Sequence, residues 1–491
     1  MLFIERKGRT LRLVVCRKNT KLSHDKEVRP VKSRRSDVRR QAQAIPEIKF
    51  ENHALTSFAG LVVFQQLFAA LNLKARLREC FRHLADGKIF RPATLFLQLI
   101  VHLLLGFREL RDCRAYQDDP LVARLLGLKH LPDVATLSRM LKEADEASVE
   151  KLRQLLRKMI FQRLVSLGLV RLTLDFDGSV QSTRRHAEGT AVGYNKKRKG
   201  ARSYYPLFCT VAQTSQVLDF LHRSGNVHDS NGAREFILAC VQEVRQALPG
   251  VQIEVRMDSA FFSDEIVTAL QEAGVEFTVS VPFERFTELK RMIEQRQRWC
   301  PVSNDVSYFE ADWKPKAWDR KFRFLFIRTR ALRQNKEPIQ LDLFVPHEYG
   351  YDFKVIITNK TLDAANVVAF HEGRGCQENI LGELKRDCQM DYVPTRTLCG
   401  NQLYLLAALF AHNLTRELQM ATTPPCRHTT VNRAALWAFE KLGTIRINLL
   451  NRAGRFTRPQ GLLTLTLNAN SWARQQLLGL LHALKALRPA A

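Results

Sequence analysis

Paired cysteines are missing from this 491-residue chain: ten cysteines stand singly, with no Cys-x-x-Cys among them. That argues against a disulfide framework or a zinc ribbon and leaves buried free thiols as the expectation. Long apolar runs are missing too. The longest, Ala93 to Phe107, carries Gln98 and His102 and falls short of the roughly 20 residues a membrane span needs, so it reads as a buried helix. The N-terminus opens Met-Leu-Phe-Ile and then turns polar and basic, too early for a signal-peptide core. A soluble, cytoplasmic protein with no membrane partner is expected. Acidic residues are scarce beside basic ones, 49 against 76, leaving a formal net charge of +27. Such a surplus points to a polyanionic partner, nucleic acid before an acidic membrane surface. Internal repeats and low-complexity tracts are absent as well.

What is present divides the chain into about three units at roughly 150 residues each. Residues 1–50 hold 15 Lys/Arg against five acids and read as a basic, partly disordered arm able to touch phosphates. From 51 to 168 the apolar residues recur at helical steps, as in Phe58, Leu61, Val62, Phe64 and Leu67, which predicts an all-α region. Within it, Pro132 precedes a short helix whose polar positions Thr136, Ser138, Arg139 and Lys142 suit either a recognition helix or a plain surface helix. After Gly168 the period changes to two. Val170, Leu172, Leu174 and Phe176 alternate with Arg171, Thr173, Asp175 and Asp177, a strand with one buried face. Further strands over 204–211, 216–221, 253–258 and 276–281, with helices over 229–248 and 264–273, give the order β-β-β-α-β-α-β of a mixed α/β sheet flanked by helices. Residues 283–360, with Trp299, Trp313 and Trp318 and strand-like runs at 322–328, 341–345 and 353–358, read as a β-rich insertion. One long helix over 363–387 and another over 402–414 follow, and 426–491 is a helical and strand tail.

Three carboxylates stand out by position. Asp177 closes the first strand and is followed by Gly-Ser, Asp258 closes the fourth, and Glu378 lies on the helix after the insertion. Carboxylates converging from such places can hold hard divalent cations while leaving coordination positions for phosphate oxygens, as phosphodiester cleavage requires. Arg374, Glu378 and Lys385 are spaced by four and seven residues, so at about 100° per residue they share one helix face. That stripe reads as an acid flanked by two phosphate clamps, or as a surface salt-bridge ladder. Asp175 shares the strand face of Asp177 and is the alternative first acid. The run Lys196, Lys197, Arg198 and Lys199 sits in a polar loop where it could track a phosphate backbone. Glu372, Glu383 and Asp387 lie off the stripe and read as solvent-facing, and Asp229 or Ser230 reads as a helix cap.

The segment HEGRGCQENILGELK, residues 371–385, resembles the Y-R-E-K signature of bacterial insertion-sequence transposases of the DDE type. DFDGSV and RMDSAFFS are similar to that family's two aspartate motifs. The resemblance implies an RNase H-like catalytic domain over 169–425 carrying a β-rich insertion before the glutamate. It implies Asp177, Asp258 and Glu378 as a metal-binding catalytic triad, Mg2+ as cofactor with Mn2+ as a substitute, and no small-molecule cofactor. Arg374 and Lys385 would contact double-stranded DNA near a transposon end, and cleavage would occur in a homodimer pairing both ends. His371 stands where the family has tyrosine and would stack or hydrogen-bond at the DNA. Two other readings fit the charge: a DNA-binding repressor without catalysis, and an RNase H-like nuclease that only hydrolyses.

Overall fold

The computed structural model describes residues 2–7, 10–15, 42, 45–51, 53–87, 89–184, 186–193, 195, 198–228, 231–330, 350–427 and 436–486. They fall into two units, 1–52 and 53–491. In the first, where an irregular basic arm was expected, Leu2–Lys7 and Thr10–Val15 pair as an antiparallel hairpin.

The second unit begins with helices α1 (Leu61–Ala70), α2 (Leu73–Cys80), α3 (Pro92–Leu104), α4 (Pro120–Leu126), α5 (Val134–Lys142) and α6 (Glu146–Ser166). Helix α3 is the long apolar run, buried nearly all round as the sequence predicts. Helix α5 is capped by the Asp133 side chain and exposes Ser138, Arg139 and Lys142. Among the described residues no helix is long and apolar enough to cross a membrane.

The largest sheet has nine strands: β1 (Arg171–Gly178), β2 (Leu207–Val211), β3 (Gln216–Leu221), β4 (Gln252–Met257), β5 (Glu276–Val281), β6 (Cys300–Pro301), β7 (Val306–Trp313), β8 (Phe322–Arg330) and β9 (Tyr351–Thr358). Their order is β6-β7-β8-β9-β5-β4-β1-β2-β3. β2 runs antiparallel to β1, whereas β4 and β5 run parallel to it and reach their places through α7 (Ala233–Ala247) and α8 (Asp264–Glu272). Five strands in the order 3-2-1-4-5 with only the second reversed make an RNase H-like sheet. The β-rich segment does not form a separate module: β9 pairs antiparallel with β5, and β8, β7 and β6 continue the same sheet outward. Residues 341–345, read as a strand, lie outside the described residues. Trp318 stacks on Phe262 at 4.9 Å between centroids, and Trp299 and Trp313 pack edge-on against Phe309 and Phe324, as small-core anchors.

Two local expectations change. β1 is buried on both faces, with Thr173 and Asp175 inside, because it is the central strand and α-helices cover it from either side. Helix α7 starts at Ala233, entered through Gly232 at φ 68°, a left-handed conformation that glycine adopts freely; Asp229 and Ser230 lie outside the described residues. At the far end, α9 (Thr287–Glu294) leads into the outer strands, and α10 (Ala364–Glu372), α11 (Gly375–Asp387) and α12 (Leu398–Thr422) return to the sheet. The tail doubles back: Thr464–Leu467 pairs with Gly454–Thr457, which pairs with Leu55–Thr56 beside α1.

Candidate active site

Parallel strands next to one another end on the same side of a sheet. β1 and β4 are such neighbours, paired up to Phe176 opposite Met257. The next residues on the two strands are Asp177 and Asp258, so the acids leave adjacent strands, whose spacing is about 4.8 Å. The Asp258 carboxylate accepts a hydrogen bond from the Ala260 N–H at 3.0 Å, which turns the chain away after the strand. Asp177, with a side chain 19 % exposed, stands at the mouth of the site.

The third acid arrives on a helix that the sequence reads as continuous and the structure breaks. α10 stops at Glu372 and α11 begins at Gly375, with Arg374 as its N-cap residue. Glu378 lies in the first turn of α11, 63 % exposed, and accepts from Arg374 Nη2 at 2.9 Å. Arg374 Nη1 stands 3.8 Å from Asp177 Oδ2. One guanidinium therefore spans two of the three carboxylates. The salt-bridge reading and the active-site reading of this stripe describe the same contact. Lys385, two turns further along, is half-buried.

Asp175 is removed from consideration as first acid by its surroundings. Its side chain is fully buried and held bidentately by Arg256, Nε to Oδ1 at 2.6 Å and Nη2 to Oδ2 at 2.8 Å. No oxygen of it faces the mouth. Further down the same face, Glu254 takes Lys360 at 2.6 Å and Arg171 at 3.0 Å, so the sheet carries a polar ladder below the acids.

The sequence matches the profile of the transposase DDE domain group 1 over residues 41–489. The chain belongs to that family. It is a DNA transposase of the DDE class. No curated relative matches the sequence. Among solved structures, the transposase is similar to the piggyBac transposase in its synaptic complex with hairpin DNA, at 10 % identity over 88 % of this chain and 86 % of that one, TM-score 0.39. It is also similar to the Mos1 transposase paired-end complex with left transposon end, at 10 % identity over 34 % of this chain and 57 % of that one, TM-score 0.17.

Other predicted residues of the transposase fall elsewhere. His371 does not face solvent: its ring is wholly buried, with Nδ1 2.9 Å from Thr278 Oγ1 and Nε2 2.9 Å from Ser280 Oγ. Burial first, then Lys354, Arg374 and Arg256, push its pKa well below the ordinary value, so the ring is neutral. It packs α10 onto β5 and offers no platform for a base. Glu383 and Asp387 are buried rather than solvent-facing: Glu383 pairs with Arg416 and accepts the Leu442 N–H at 2.9 Å, and Asp387 takes Arg386 at 2.9 Å. Lys196 and Lys197 lie outside the described residues. Arg198 and Lys199 are exposed, and Arg198 joins Arg184, His186 and Arg202 around a surface cavity of about 530 Å³. Among the described residues five cysteines are buried free thiols as expected, whereas Cys300, Cys376 and Cys426 are exposed.

DDE transposases use divalent metal ions, and the donor set of Asp177, Asp258 and Glu378, all hard oxygen ligands, fits such a cation. Among the described residues no three acidic, His or Cys side chains are gathered tightly enough to cage an ion. Between Asp177 and Glu378 the compensating charge is the Arg374 guanidinium. Sequence reading passed over Arg256, which pairs with Asp175, and Gln377, which donates to the Asp175 carbonyl at 2.8 Å; the available signal was that Arg256 precedes Asp258 by two, as Asp175 precedes Asp177.

Proposed function

We propose that Asp177, Asp258 and Glu378 are the catalytic acids of this transposase, cutting double-stranded DNA at the terminal inverted repeats of its own element and joining the freed end to target DNA. The observation that carries the reading is the meeting of two adjacent strand ends with the first turn of α11, where Arg374 spans Asp177 and Glu378. The three carboxylates would hold Mg2+, or Mn2+ in its place, which supplies activation of the attacking oxygen and neutralisation of phosphate charge. In the first step water attacks a phosphodiester phosphorus and the P–O3′ bond breaks, leaving a 3′-hydroxyl and a 5′-phosphate. In the second, that hydroxyl attacks a target phosphorus and displaces the target strand's own 3′ oxygen, so one phosphodiester is exchanged for another.

Arg374 and Lys385 serve as phosphate clamps on either side of Glu378, consistent with membership of the Y-R-E-K branch, with histidine in the tyrosine place. Arg198 and Lys199, with Lys196 and Lys197, follow the backbone of the bound duplex. A homodimer of the chain pairs the two ends, a reading that rests on the family resemblance.

The test is Asp258→Ala and Glu378→Ala in the full chain, assayed on a labelled inverted-repeat end. Both should still retard the end in a gel shift and neither should cut it. Cleavage at the wild-type rate by either variant sinks the assignment. A pre-cut end with a 3′-hydroxyl should yield strand-transfer products; hydrolysis alone would mark a nuclease.

A further inference from the structure

Side chains two residues apart on a strand share a face, so Asp175 lies behind Asp177 and Arg256 behind Asp258. Parallel register sets Asp175 directly against Arg256, and their bidentate pair is almost fully enclosed. Two hydrogens of the guanidinium plane meet Asp175. A third bond leaves the strands altogether: Arg256 Nη1 donates to the Phe370 carbonyl at 2.9 Å.

Phe370 O belongs to the last turn of α10, where helix carbonyls need partners from outside the helix. If the helix ran on, this oxygen would accept the Arg374 N–H. Instead Arg374 N–H bonds His371 O at 3.0 Å, the α-helical ladder is interrupted at Gly373 and Arg374, and α11 starts there with Glu378 in its first turn. The guanidinium sits against this break. It lies 5.2 Å from the Phe370 ring centroid, and a Cβ added to Gly373 would stand 2.1 Å from Arg256 Nη1. From the other side Gln377, buried next to Glu378, donates to the Asp175 carbonyl at 2.8 Å. The residues directly behind the three acids are thus tied into one buried knot.

We propose that Arg256, with Asp175 as its counter-ion, is a positioning residue: by taking the Phe370 carbonyl in the last turn of α10 it sets where Glu378 stands relative to Asp177 and Asp258. The inference rests on those three being the catalytic acids. Arg256 touches no reacting atom in this role. Its effect on catalysis passes through the placement of the first turn of α11.

The experiment uses the full chain and four variants. Arg256→Lys keeps a charge opposite Asp175 but lacks the fork that reaches Phe370. Asp175→Leu with Arg256→Met removes both charges together, a replacement that buried pairs commonly tolerate. Gly373→Ala leaves the ion pair and crowds the break. Glu378→Gln reports on the acids themselves. Each is measured for thermal stability, for end binding by gel shift, and for Mn2+ affinity in the DNA-free chain by electron paramagnetic resonance, alongside cleavage. For the Arg256 and Gly373 variants the expected result is retained end binding with Mn2+ affinity and cleavage each lowered about 10–100-fold, as when residues behind a metal ligand are lost. A folded double variant with wild-type Mn2+ affinity and cleavage overturns the proposal. If the double variant does not fold, Arg256→Lys and Gly373→Ala decide by the same criterion. Wild-type cleavage by Glu378→Gln shows instead that the acids are misassigned, whatever the Arg256 variants do.

Discussion

Arg374→Gln should raise the affinity of the DNA-free transposase for a divalent ion, although it removes a hydrogen bond and a positive charge. The guanidinium stands 2.9 Å from Glu378 and 3.8 Å from Asp177, and an incoming cation must replace it as their counter-charge. At about 4 Å a unit pair is worth about 1 kcal/mol in water and about 4 kcal/mol at an effective dielectric near 20. Glu378 is largely exposed, which puts its link to Arg374 in the range of about 0.2–1 kcal/mol. Asp177 is better shielded but further away. Releasing both carboxylates is therefore worth about 1–2 kcal/mol, which at 1.4 kcal/mol per decade is a gain of about 5–30-fold in Mn2+ affinity. The assay is a Mn2+ titration of the DNA-free chain followed by the resonance of the free ion. The same variant should bind an inverted-repeat end more weakly, with the slope of log K against log salt reduced by about 1, the signature of one lost phosphate contact. Thermal stability should change little, because the lost contacts are near the surface. Mn2+ affinity equal to or below wild type refutes the idea that Arg374 holds the place of the cation.

Acid should destabilise the fold early. Burial lowers His102 from 6.5 to about 4 and His412 to about 3, so both stay neutral when folded and take up protons when unfolded. Their contribution is complete above pH 6.5 and is lost as pH falls toward 4, each adding a slope of about 1.4 kcal/mol per pH unit; urea midpoints at pH 7 and 5 measure it, and His412→Gln should flatten the slope by about one proton. Arg416→Met leaves Glu383 in the interior with the Leu442 N–H and the neutral His412 ring, 3.9 Å away, but no cation and should cost about 3–5 kcal/mol in chemical denaturation; a loss under 1 kcal/mol would contradict the buried pairing. Gly60→Ala would put a Cβ 2.0 Å from the Leu449 carbonyl oxygen and should lower stability by about 1–3 kcal/mol or more, since the obstacle is backbone. An unchanged melting temperature would mean the C-terminal segment does not pack against the start of α1.

The ends of β1 and β4 were legible because period-two alternation fixes both the strand and the face, and the Asp at each end falls in phase. The succession β-β-β-α-β-α-β along the chain was legible as a mixed sheet flanked by helices, whereas the order of strands within the sheet came from the structure. The break between α10 and α11 was not legible: it goes with a bond from Arg256, distant in sequence, to the Phe370 carbonyl, and the local pattern reads as continuous helix. Burial of His371 and Glu383 escaped for a similar reason. Each is a polar residue whose partners, Thr278 and Ser280 for one and Arg416 for the other, come from separate elements, so nothing nearby in the chain announces the pairing. Asp175 could be told from Asp177 only once Arg256 was seen across from it.

The nine-stranded sheet has a consequence for how this enzyme can vary. The chain departs from β5 at Val281 and comes back on β9, hydrogen-bonded to that same strand from Val355 to Thr358. Entry and exit of the detour are thus moored to a single strand, and α10 is launched from a fixed berth whatever happens between. Length and content of the intervening hairpins are free to drift or to acquire new DNA contacts, because the spacing of the second and third acids along the polymer has no bearing on their separation in space.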